Sequence, residues 1–525
     1  MRILAAAGEN FVGSLNFKPI KPTASAAHIY GKRRVAAESF TSFQLTWDEH
    51  WEMFKEVANV NMTEGVTHNV FHTFTHNPQV GFLPPGTSFG GGIGTPFLRG
   101  QTWWKYMSEF TRYLARTGYM LERGLPVVDV LWYLGDEVGH RPDQLAAFPE
   151  GFKYDYCNPD VLLNRLKVKH GRICTPDGQT YGMLWIPDSE RMLPATVEKL
   201  YRLIRAGAKV VAGPPQGFAT LNVDAKAEKR FARRVRSIWK KQGAVRRLGR
   251  GLIAWDVPLE AAMAAFGMEP QLVTEGGTVQ WTARETAGAR WFYVTAPAGG
   301  EFHGTLLLKA KGRAGLWDAS TGEVSALDSV QEGGYQRVRL DLGRAENCFV
   351  VFVEKNGPVL QAAPGPQGTS VPLNGWTVRF PKGWGAPEEP LQLPALMPWK
   401  DLPLSAEGRA FSGTATYETA FEVPEELIGK PVFLDLGDVD MIADVTVNGK
   451  PAGVRWAHPY RVSIGDLLQA GTNTVRIDVT GTWFNRLAYD ASLPEAQRKT
   501  WSINGPAAGS PLRNSGLLGP VQLIY

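Results

Sequence analysis

A carboxylate ends the first apolar run of the sequence, in the segment RRVAAESF at residues 33–40. We predict a strand over 33–38, which places Glu38 at the carboxyl end of a strand. Reactive groups of parallel α/β sheets lie at that end of the strands. A carboxylate there can activate water or attack an anomeric carbon, and cleavage of a glycosidic bond needs a second carboxyl group as well. The alternative is a structural Glu38 that forms a salt bridge with Arg33 or Arg34.

Three histidines follow at intervals of four residues, at His68, His72 and His76. On a strand, an even spacing places side chains on one face, where histidines can bind a metal ion or hydrogen-bond the hydroxyl groups of a sugar. We expect His68 to be structural. We predict that His72 and His76 contact the substrate, because they lie nearer the catalytic end of the strand. The sequence HExxH is lacking, which argues against a metalloprotease.

Two tryptophans and two acidic residues complete the candidate set. Trp103 and Trp104 open a predicted helix. Adjacent helical residues point in different directions, so we expect one ring in the core and the other exposed as a platform for a sugar. Asp136 and Glu137 follow the next predicted strand directly. They can bind the substrate or a metal ion, or they can lie on a surface loop.

The composition indicates a large globular protein. The chain has 525 residues, of which 44% are hydrophobic and 20% charged, so we expect several domains. Its 17 tryptophans are typical of proteins that stack aromatic rings on sugars, and equally of a large β-rich core. No apolar run reaches membrane-spanning length. The three cysteines are too far apart in sequence to indicate a disulfide framework or a zinc site.

The charge pattern does not indicate a nucleic-acid-binding protein. The net charge of +5 is small for this length. A basic run covers 226–250, but Phe231, Val235 and Ile238 recur in it at helical spacing. We therefore interpret the basic side chains as the solvated face of a helix.

The N-terminal part of the sequence alternates strands with helices. We predict strands at 33–38, 66–74 and 126–134, and helices at 47–64 and 102–123. Strands separated by helices pair in parallel through right-handed crossovers. Three such units do not close a barrel, so we interpret this segment as the last part of one, with an open edge.

A second α/β unit is predicted to follow. A buried strand at 182–187, an amphipathic helix at 194–206 and another strand at 208–215 resemble a flavodoxin-like domain. The loop after the last of these strands lacks a phosphate-binding glycine pattern, so we predict no nucleotide.

Short, turn-rich strands dominate the rest of the chain. Those at 268–355 predict an all-β module, and 356–405 are rich in proline and glycine and contain a linker. From 410 to the end we predict a second β-sandwich, in which Asn448-Gly449 is a strong signal for a hairpin turn.

Several longer motifs resemble one enzyme family. They are HIYGKRRVAAESFTSF, FLPPGTSF, TWWKYMSEFTRYLARTGYMLERGLPVVDVLWYLGDE and DGQTYGMLWIP. Together they resemble the second half of family-106 glycoside hydrolases, the α-L-rhamnosidases. The C-terminal segments VTVNGKPAGVRWAHPYRVSI, TWFNRLAYD and SGLLGPVQL continue the match, and the last domain is similar to the sugar-binding jelly roll of family-2 glycosidases.

The resemblance implies a catalytic (β/α)8 barrel, inversion at the anomeric carbon, and a bound calcium ion that contacts the sugar; the ligands of that ion are not identified. It also implies that Glu38 is the general base. The expected substrates are terminal α-L-rhamnosyl residues of plant or microbial polysaccharides or glycosides.

Family members carry the first barrel strands and the general acid upstream, and no residue of this chain matches the segment of that acid. Asp136 and Glu137 are the nearest substitutes. We therefore expect a truncated or split enzyme, with a complementary chain that carries the missing half-barrel. The alternative is a non-catalytic carbohydrate-binding remnant that uses its β-sandwiches.

The predicted fold class is thus multidomain α/β plus all-β. The start MRILAAAGENF is too short and too quickly polar for a secretory signal, so we expect a periplasmic or secreted protein if an upstream signal was lost, and a cytoplasmic one otherwise. The predicted domains are a C-terminal part of the barrel (1–150), a flavodoxin-like domain (151–265), a β-sandwich (266–356), a linker-rich segment (357–405) and a galactose-binding-like jelly roll (406–525).

Overall fold

The computed structural model describes residues 20–41, 46–78, 81–86, 94–137, 148–187, 189–240, 245–354, 360–361 and 368–525. The segment MRILAAAGENF and most of the proline- and glycine-rich QAAPGPQG lie outside the described residues. The described helices are α1 (Ile20–Ile29), α2 (Trp51–Thr63), α3 (Met107–Leu121), α4 (Pro194–Ala206), α5 (Ala225–Ile238), α6 (Leu259–Ala265), α7 (Ala406–Arg409) and α8 (Phe484–Asp490).

The first α/β segment contains one pair of parallel strands, β1 (Ala36–Ser39) and β2 (His68–Phe71), with Ala36 opposite His68 and Ser39 opposite Phe71. The apolar positions of α2 and α3 recur every three or four residues, as in an amphipathic helix. Those rings form one aromatic layer with residues that lie at and after the ends of the two strands. The layer contains Phe40, Trp51, Phe54, Phe71, Phe97, Trp103, Phe110 and Tyr113.

The prediction of a third strand for this segment is wrong. The predicted strand 126–134 is divided between two other sheets: β3 (Leu125–Pro126) pairs with a β-sandwich strand, and β4 (Val130–Tyr133) pairs in parallel with strands of the second α/β unit. Asp129 lies between the two parts. Its carboxylate accepts hydrogen bonds from the Lys153 backbone N–H (2.8 Å) and from the Gln271 side-chain amide (2.6 Å). All four residues of β4 are buried, as in a central parallel strand that is covered on both faces.

The second α/β unit is built on a mostly parallel six-stranded sheet in the order β13-β14-β11-β9-β4-β5. The strand β13 is antiparallel to β14, and the other pairs are parallel. Both Phe231 and Ile238 of α5 are buried, so the part of the basic run that lies in this helix, residues 226–238, forms a solvated face as predicted. The rest of the run does not continue the helix, since Arg246–Leu248 form a strand. The strands of this unit are β5 (Tyr154–Cys157), β6 (Lys167–Lys169), β7 (Arg172–Cys174), β8 (Thr180–Tyr181), β9 (Met183–Ile186), β10 (Arg191–Met192), β11 (Lys209–Ala212), β12 (Gly217–Phe218), β13 (Arg246–Leu248) and β14 (Gly251–Ala254).

An antiparallel β-sandwich follows, with sheets in the orders β15-β18-β22-β21 and β20-β19-β23-β17-β16-β3. Its inner faces enclose an apolar core that includes Phe292, Leu306 and Phe352. The strands are β15 (Leu272–Glu275), β16 (Gln280–Glu285), β17 (Ala289–Thr295), β18 (Phe302–Leu308), β19 (Arg313–Trp317), β20 (Val324–Ala326), β21 (Val330–Glu332), β22 (Tyr335–Leu342) and β23 (Asn347–Val353).

The C-terminal β-sandwich has sheets in the orders β24-β35-β28-β32 and β26-β25-β27-β33-β30-β31. The hairpin predicted at Asn448-Gly449 joins β30 to β31, and both residues have positive φ, 49° and 74°. The strands are β24 (Ser370–Pro372), β25 (Thr377–Arg379), β26 (Leu391–Gln392), β27 (Thr414–Val423), β28 (Phe433–Asp435), β29 (Asp438–Val439), β30 (Ile442–Val447), β31 (Lys450–Arg455), β32 (Arg461–Ser463), β33 (Gly471–Thr480), β34 (Leu517–Gly519) and β35 (Gln522–Ile524).

A buried asparagine joins the first α/β segment to the first sandwich. Asn59 of α2 is 2% exposed, and its Oδ1 lies 2.8 Å from each of three donors, the hydroxyls of Tyr113 and Tyr293 and the amide of Asn347. Its own amide donates to the carbonyl of Ala345 (2.9 Å). One side chain thus satisfies polar groups on α3, on two sandwich strands and in the loop before the second of them.

We expect Asn59→Ala to lower the free energy of unfolding by about 3 kcal/mol, because several buried polar groups lose a partner at once. The matched control is Asn61→Ala on the same helix, since the structure records no side-chain hydrogen bond for Asn61 among the described residues; this change is expected to cost less than about 1 kcal/mol. Urea denaturation followed by tryptophan fluorescence measures both. Equal effects of the two substitutions would contradict this role of Asn59.

An ion pair joins α2 to the C-terminal sandwich. The Glu52 carboxylate lies 2.7 Å from His458 Nδ1 and accepts the His458 backbone N–H at 3.1 Å, while Asp438 lies 3.3 Å from the Nε2 atom. The hydrogen bond with Glu52 raises the pKa of His458. Burial alone would raise the pKa of Glu52, but His458 outweighs that effect and lowers it.

This pair predicts a defined pH dependence of stability. A raised His458 pKa contributes stability that is fully present below the unfolded value of about 6.5 and is lost as the pH rises through the folded value. The lowered Glu52 pKa contributes stability above the unfolded value of 4.5, which is lost as the pH falls through the folded value. We expect the stability difference between wild type and His458→Gln to reach up to about 1 kcal/mol between these limits and to shrink toward pH 8. A difference that does not change with pH would contradict the account.

Candidate active-site face

Glu38 lies on the exposed face of the β1–β2 pair, opposite Val70 in register. Side chains alternate between the two faces along each strand. Ala36 and Glu38 of β1 are exposed, as are His68 and Val70 of β2. Among the described residues, no salt bridge is recorded between Glu38 and either Arg33 or Arg34, and Arg34 pairs with Glu122 at 3.0 Å.

The residues after Glu38 hold its carboxylate in place. The Thr41 hydroxyl donates to Glu38 Oε1 at 2.6 Å. Ser39 Oγ lies 2.9 Å from Asn69 Oδ1 on the neighbouring strand. Phe40 has a φ of 65° and is fully buried, so the chain turns there and places Ser39 and Phe40 on the core side. In the described part of the chain, Thr41 is the residue recorded in contact with the Glu38 carboxylate, which leaves lone pairs available for water or a hydroxyl.

His72 is half-buried just beyond the end of β2, and its backbone N–H donates to the Ser39 carbonyl at 3.3 Å. His72 therefore extends the pairing of the two strands beside Glu38. His76 is exposed in the following loop. The strand predicted over 66–74 ends at Phe71, so the even spacing of the three histidines does not define one strand face.

The two tryptophans divide as predicted: Trp103 is 2% exposed within the aromatic layer, and Trp104 is 36% exposed. Trp103 packs edge-on against Trp51 with ring centroids 5.5 Å apart. They lie at a 3-10 turn before α3 (Met107–Leu121), slightly later than the predicted helix start. Trp104 retains a surface that a sugar ring can cover.

Asp136 and Glu137 lie after β4, in the sheet of the second α/β unit and not in the pair that bears Glu38. The Asp136 carboxylate accepts hydrogen bonds from the Leu193 backbone N–H (2.9 Å) and the Thr196 hydroxyl (2.8 Å), and Tyr133 also donates to it. It thus satisfies groups at the start of α4, where negative charge is favourable. Glu137 is exposed, 3.8 Å from Arg191. The structure gives these carboxylates local partners of their own.

No group of three or more His, Cys, Asp or Glu side chains in the described ranges could hold a metal ion. The calcium implied by the family resemblance therefore has no ligand set among these side chains. No described helix is long and apolar enough to cross a membrane.

Sequence reasoning missed the residues that support Glu38. Thr41 lies three residues after the predicted end of the first strand, and Asn69 lies on the adjacent strand. Polar residues are common at strand ends, and neither residue has a distinctive spacing in the sequence. Gly94 was missed as well. Its φ is +89°, and a Cβ atom there would lie 2.6 Å from His72 Nδ1. Gly94 therefore allows the close approach of its backbone to the imidazole.

Comparison with known proteins identifies the family of the chain. The glycoside hydrolase family 106, alpha-L-rhamnosidase, matches residues 9–331. The chain belongs to this family. A second match, to the galactose-binding-like domain of family-2 glycosyl hydrolases, covers residues 409–515 in the C-terminal sandwich.

The structure of a rhamnosidase from Novosphingobium sp. PP1Y is similar over 95% of this chain and 48% of that one, with a TM-score of 0.86 and 29% identity. A Formosa agariphila protein named "Putative beta-glucuronidase" is 31% identical over 347 residues, which are 64% of this chain and 28% of that protein. The family-106 chain described here therefore spans less than half the length of either relative.

We expect Gly94→Ala to displace the His72 ring and to lower the free energy of unfolding by about 2 kcal/mol. The added Cβ clashes with the ring, and an alanine disfavours the positive φ that the glycine adopts. The matched control is Gly81→Ala. Gly81 has a φ of +78° and no heavy atom within 4 Å of the added Cβ, so it carries the backbone cost of about 1 kcal/mol without the clash. Thermal denaturation and the imidazole NMR signal of His72 are the readouts. If Gly81→Ala moves that signal as much as Gly94→Ala does, the proposed contact is wrong.

Proposed function

We propose that this chain carries part of the catalytic site of an inverting α-L-rhamnosidase, with Glu38 as the general base. The observation that carries the proposal is the exposed carboxylate at the carboxyl end of β1, held by Thr41 and bordered by His72. Such a group can remove a proton from water as the oxygen attacks the anomeric carbon. His72, His76 and Trp104 are proposed to contact the sugar. Trp103, although it was in the same predicted set, is proposed to act by supporting the aromatic layer.

The proposed reaction balances with one further carboxylic acid. The water oxygen bonds to the anomeric carbon on the face opposite the leaving group, its proton passes to Glu38, and the acid protonates the departing glycosidic oxygen. In inverting enzymes the two carboxyl groups are about 6.5–9.5 Å apart, which leaves room for the water. The local partners of Asp136 and Glu137 argue against either of them as this acid. We propose that the acid comes from sequence outside the described residues.

The exposed face of β1–β2 supports the further proposal that a complementary segment or chain covers it as the rest of a (β/α)8 barrel. Parallel sheets are normally covered on both faces. Here one face packs on the aromatic layer, while the other exposes the apolar side chain of Val70 at 49%, beside Glu38. Phe74, three residues after the end of β2, is 70% exposed. In a closed barrel, side chains of the neighbouring strands would cover these two exposed apolar groups.

Calcium remains part of the proposal only as an expectation from the family, and no step depends on it here.

The expected substrates are terminal α-L-rhamnosyl residues of polysaccharides or glycosides. Since one relative is named as a glucuronidase, the substrate panel pairs an aryl α-L-rhamnoside with an aryl β-D-glucuronide, each with added calcium and with a chelator.

We expect Glu38→Gln to lower kcat by about 10²–10⁴-fold on an aryl α-L-rhamnoside whose leaving group departs without protonation, because the amide cannot accept the proton from water. The KM is expected to change little, since Gln keeps the size and one acceptor oxygen. Glu150→Gln, an exposed carboxylate of the second α/β unit, is the control and should retain wild-type kcat. An unchanged kcat in Glu38→Gln would remove Glu38 from the mechanism.

A non-catalytic carbohydrate-binding protein is the second candidate. The observation that favours it is the C-terminal sandwich, whose match to a galactose-binding-like domain is independent of Glu38. If the folded wild-type chain binds L-rhamnose with no turnover, and Glu38→Gln leaves the dissociation constant unchanged, the binding role is favoured. Turnover that depends on Glu38 favours the hydrolase.

A further inference from the structure

A cleft of about 460 Å³ lies where α2 meets the two β-sandwiches. We name it the junction cleft. Its walls include Lys55 from α2, Asp318 and Glu346 from the first sandwich, and Arg455 and Trp456 from the C-terminal sandwich. Glu38 is not part of its lining, so the cleft is separate from the proposed catalytic face.

Lys55 is the unusual residue of this cleft. Its side chain is buried, with 3% of the residue exposed, and burial lowers its pKa. Within the described ranges, no hydrogen-bond acceptor or ion-pair partner is recorded for its ammonium group. The nitrogen instead lies 5.7 Å from the ring centroid of Tyr113 and 5.8 Å from that of Trp456. The ammonium therefore faces the cleft, where its three N–H donors can bind the oxygen atoms of a ligand.

Two carboxylates face the same space at a greater distance. Asp318 and Glu346 favour the charged form of Lys55 but lie beyond ion-pair distance from it. Both are fixed from behind: Asp318 accepts the backbone N–H of Ser320 at 2.7 Å, and Glu346 accepts that of Gly343 at 2.6 Å. Each keeps free lone pairs. A hydroxyl group fits between these groups, because it can accept from the ammonium and donate to a carboxylate.

The charged groups of the lining favour a ligand without net charge. The cationic side chains Lys55, Arg339, Arg455 and Arg461 are matched by the carboxyl groups of Asp318, Glu323, Asp341 and Glu346, and His458 also lines the cleft. Because these charges nearly balance, neither an anion nor a cation meets a large excess of opposite charge. The remaining lining includes apolar side chains that suit the C–H face of a sugar ring, among them Leu316, Phe433, Val454 and Trp456.

We propose that the junction cleft is a second carbohydrate site, which binds a neutral sugar unit through its hydroxyl groups. The volume exceeds what one sugar unit needs, so part of the cleft remains hydrated or holds a neighbouring unit. Because the walls come from three parts of the chain, a bound sugar would also link them. The proposal rests on the proposed function only for the choice of probe.

Isothermal titration with methyl α-L-rhamnoside tests the proposal, using the full chain as wild type, Glu38→Gln, Lys55→Met and Glu346→Gln. We expect a site that Glu38→Gln retains with unchanged affinity and that Lys55→Met and Glu346→Gln each weaken about tenfold or more, since each removes a hydrogen bond to a charged group. Sodium D-glucuronate should bind this site more weakly than the neutral glycoside. Tighter binding of the glucuronate would overturn the inferred ligand class.

Hydrogen exchange on the wild-type chain locates the site without any substitution, and it decides the matter if Lys55→Met does not fold. Methyl α-L-rhamnoside should slow exchange in residues 316–323 and 454–461, which line the junction cleft. Protection confined to other parts of the chain, or no protection at saturating glycoside, would refute the proposal. If all binding disappears in a folded Glu38→Gln variant, the sugar binds at the catalytic face and the second site does not exist.

Discussion

The aromatic layer between the β1–β2 pair and the two β-sandwiches is the interaction on which the other parts depend. Trp51 of α2 stacks on Phe110 of α3 with ring centroids 5.6 Å apart, and both contact Trp456 of the C-terminal sandwich edge-on. Phe40 enters the same layer from the end of β1. A strand end, two helices and a distant domain therefore share one core. Full burial of each large apolar side chain contributes about 1.5–3 kcal/mol.

This layer also explains the local backbone at the proposed catalytic face. Phe40 adopts a φ of 65°, which costs a non-glycine residue about 1–2 kcal/mol. Burial of its ring in the layer offsets that cost. The turn at Phe40 brings Thr41 back to the Glu38 carboxylate, so the packing of one side of the sheet fixes the polar group on the other side. The same core supports the junction cleft, because Lys55 of α2 directly follows Phe54, a residue of the aromatic layer.

Much of this arrangement follows from local sequence patterns. The amphipathic periods of α2 and α3, the opposite environments of Trp103 and Trp104, and the hairpin at Asn448-Gly449 each depend on residues close in sequence. The longer motifs, one of which contains Glu38, predicted family 106 and a C-terminal domain like that of family-2 glycosidases. The matches to residues 9–331 and 409–515 confirm these two predictions respectively.

The errors and omissions come from contacts between residues far apart in sequence. The apolar run of β4 fits any buried parallel strand, and its neighbours Tyr154–Cys157 and Met183–Ile186 decide which sheet receives it. Asp136 has the position of a site residue, yet two of its three partners, Leu193 and Thr196, lie at the start of a helix that begins 58 residues later at Pro194. The junction cleft combines α2 with two domains more than 250 residues away, so no spacing within α2 could reveal that Lys55 lines it.

Chemical rescue of Glu38→Ala by sodium azide tests the central claim most directly. The full chain is assayed with an aryl α-L-rhamnoside whose leaving group departs without protonation, so that the missing acid does not limit turnover, as wild type and as the variant with and without azide. The account predicts that removal of the carboxylate abolishes most of the turnover and that azide, which needs no general base, restores it by forming the inverted β-L-rhamnosyl azide. Wild-type turnover in Glu38→Ala, or a rescued product of retained configuration, would contradict the assignment of Glu38 as the base of an inverting enzyme.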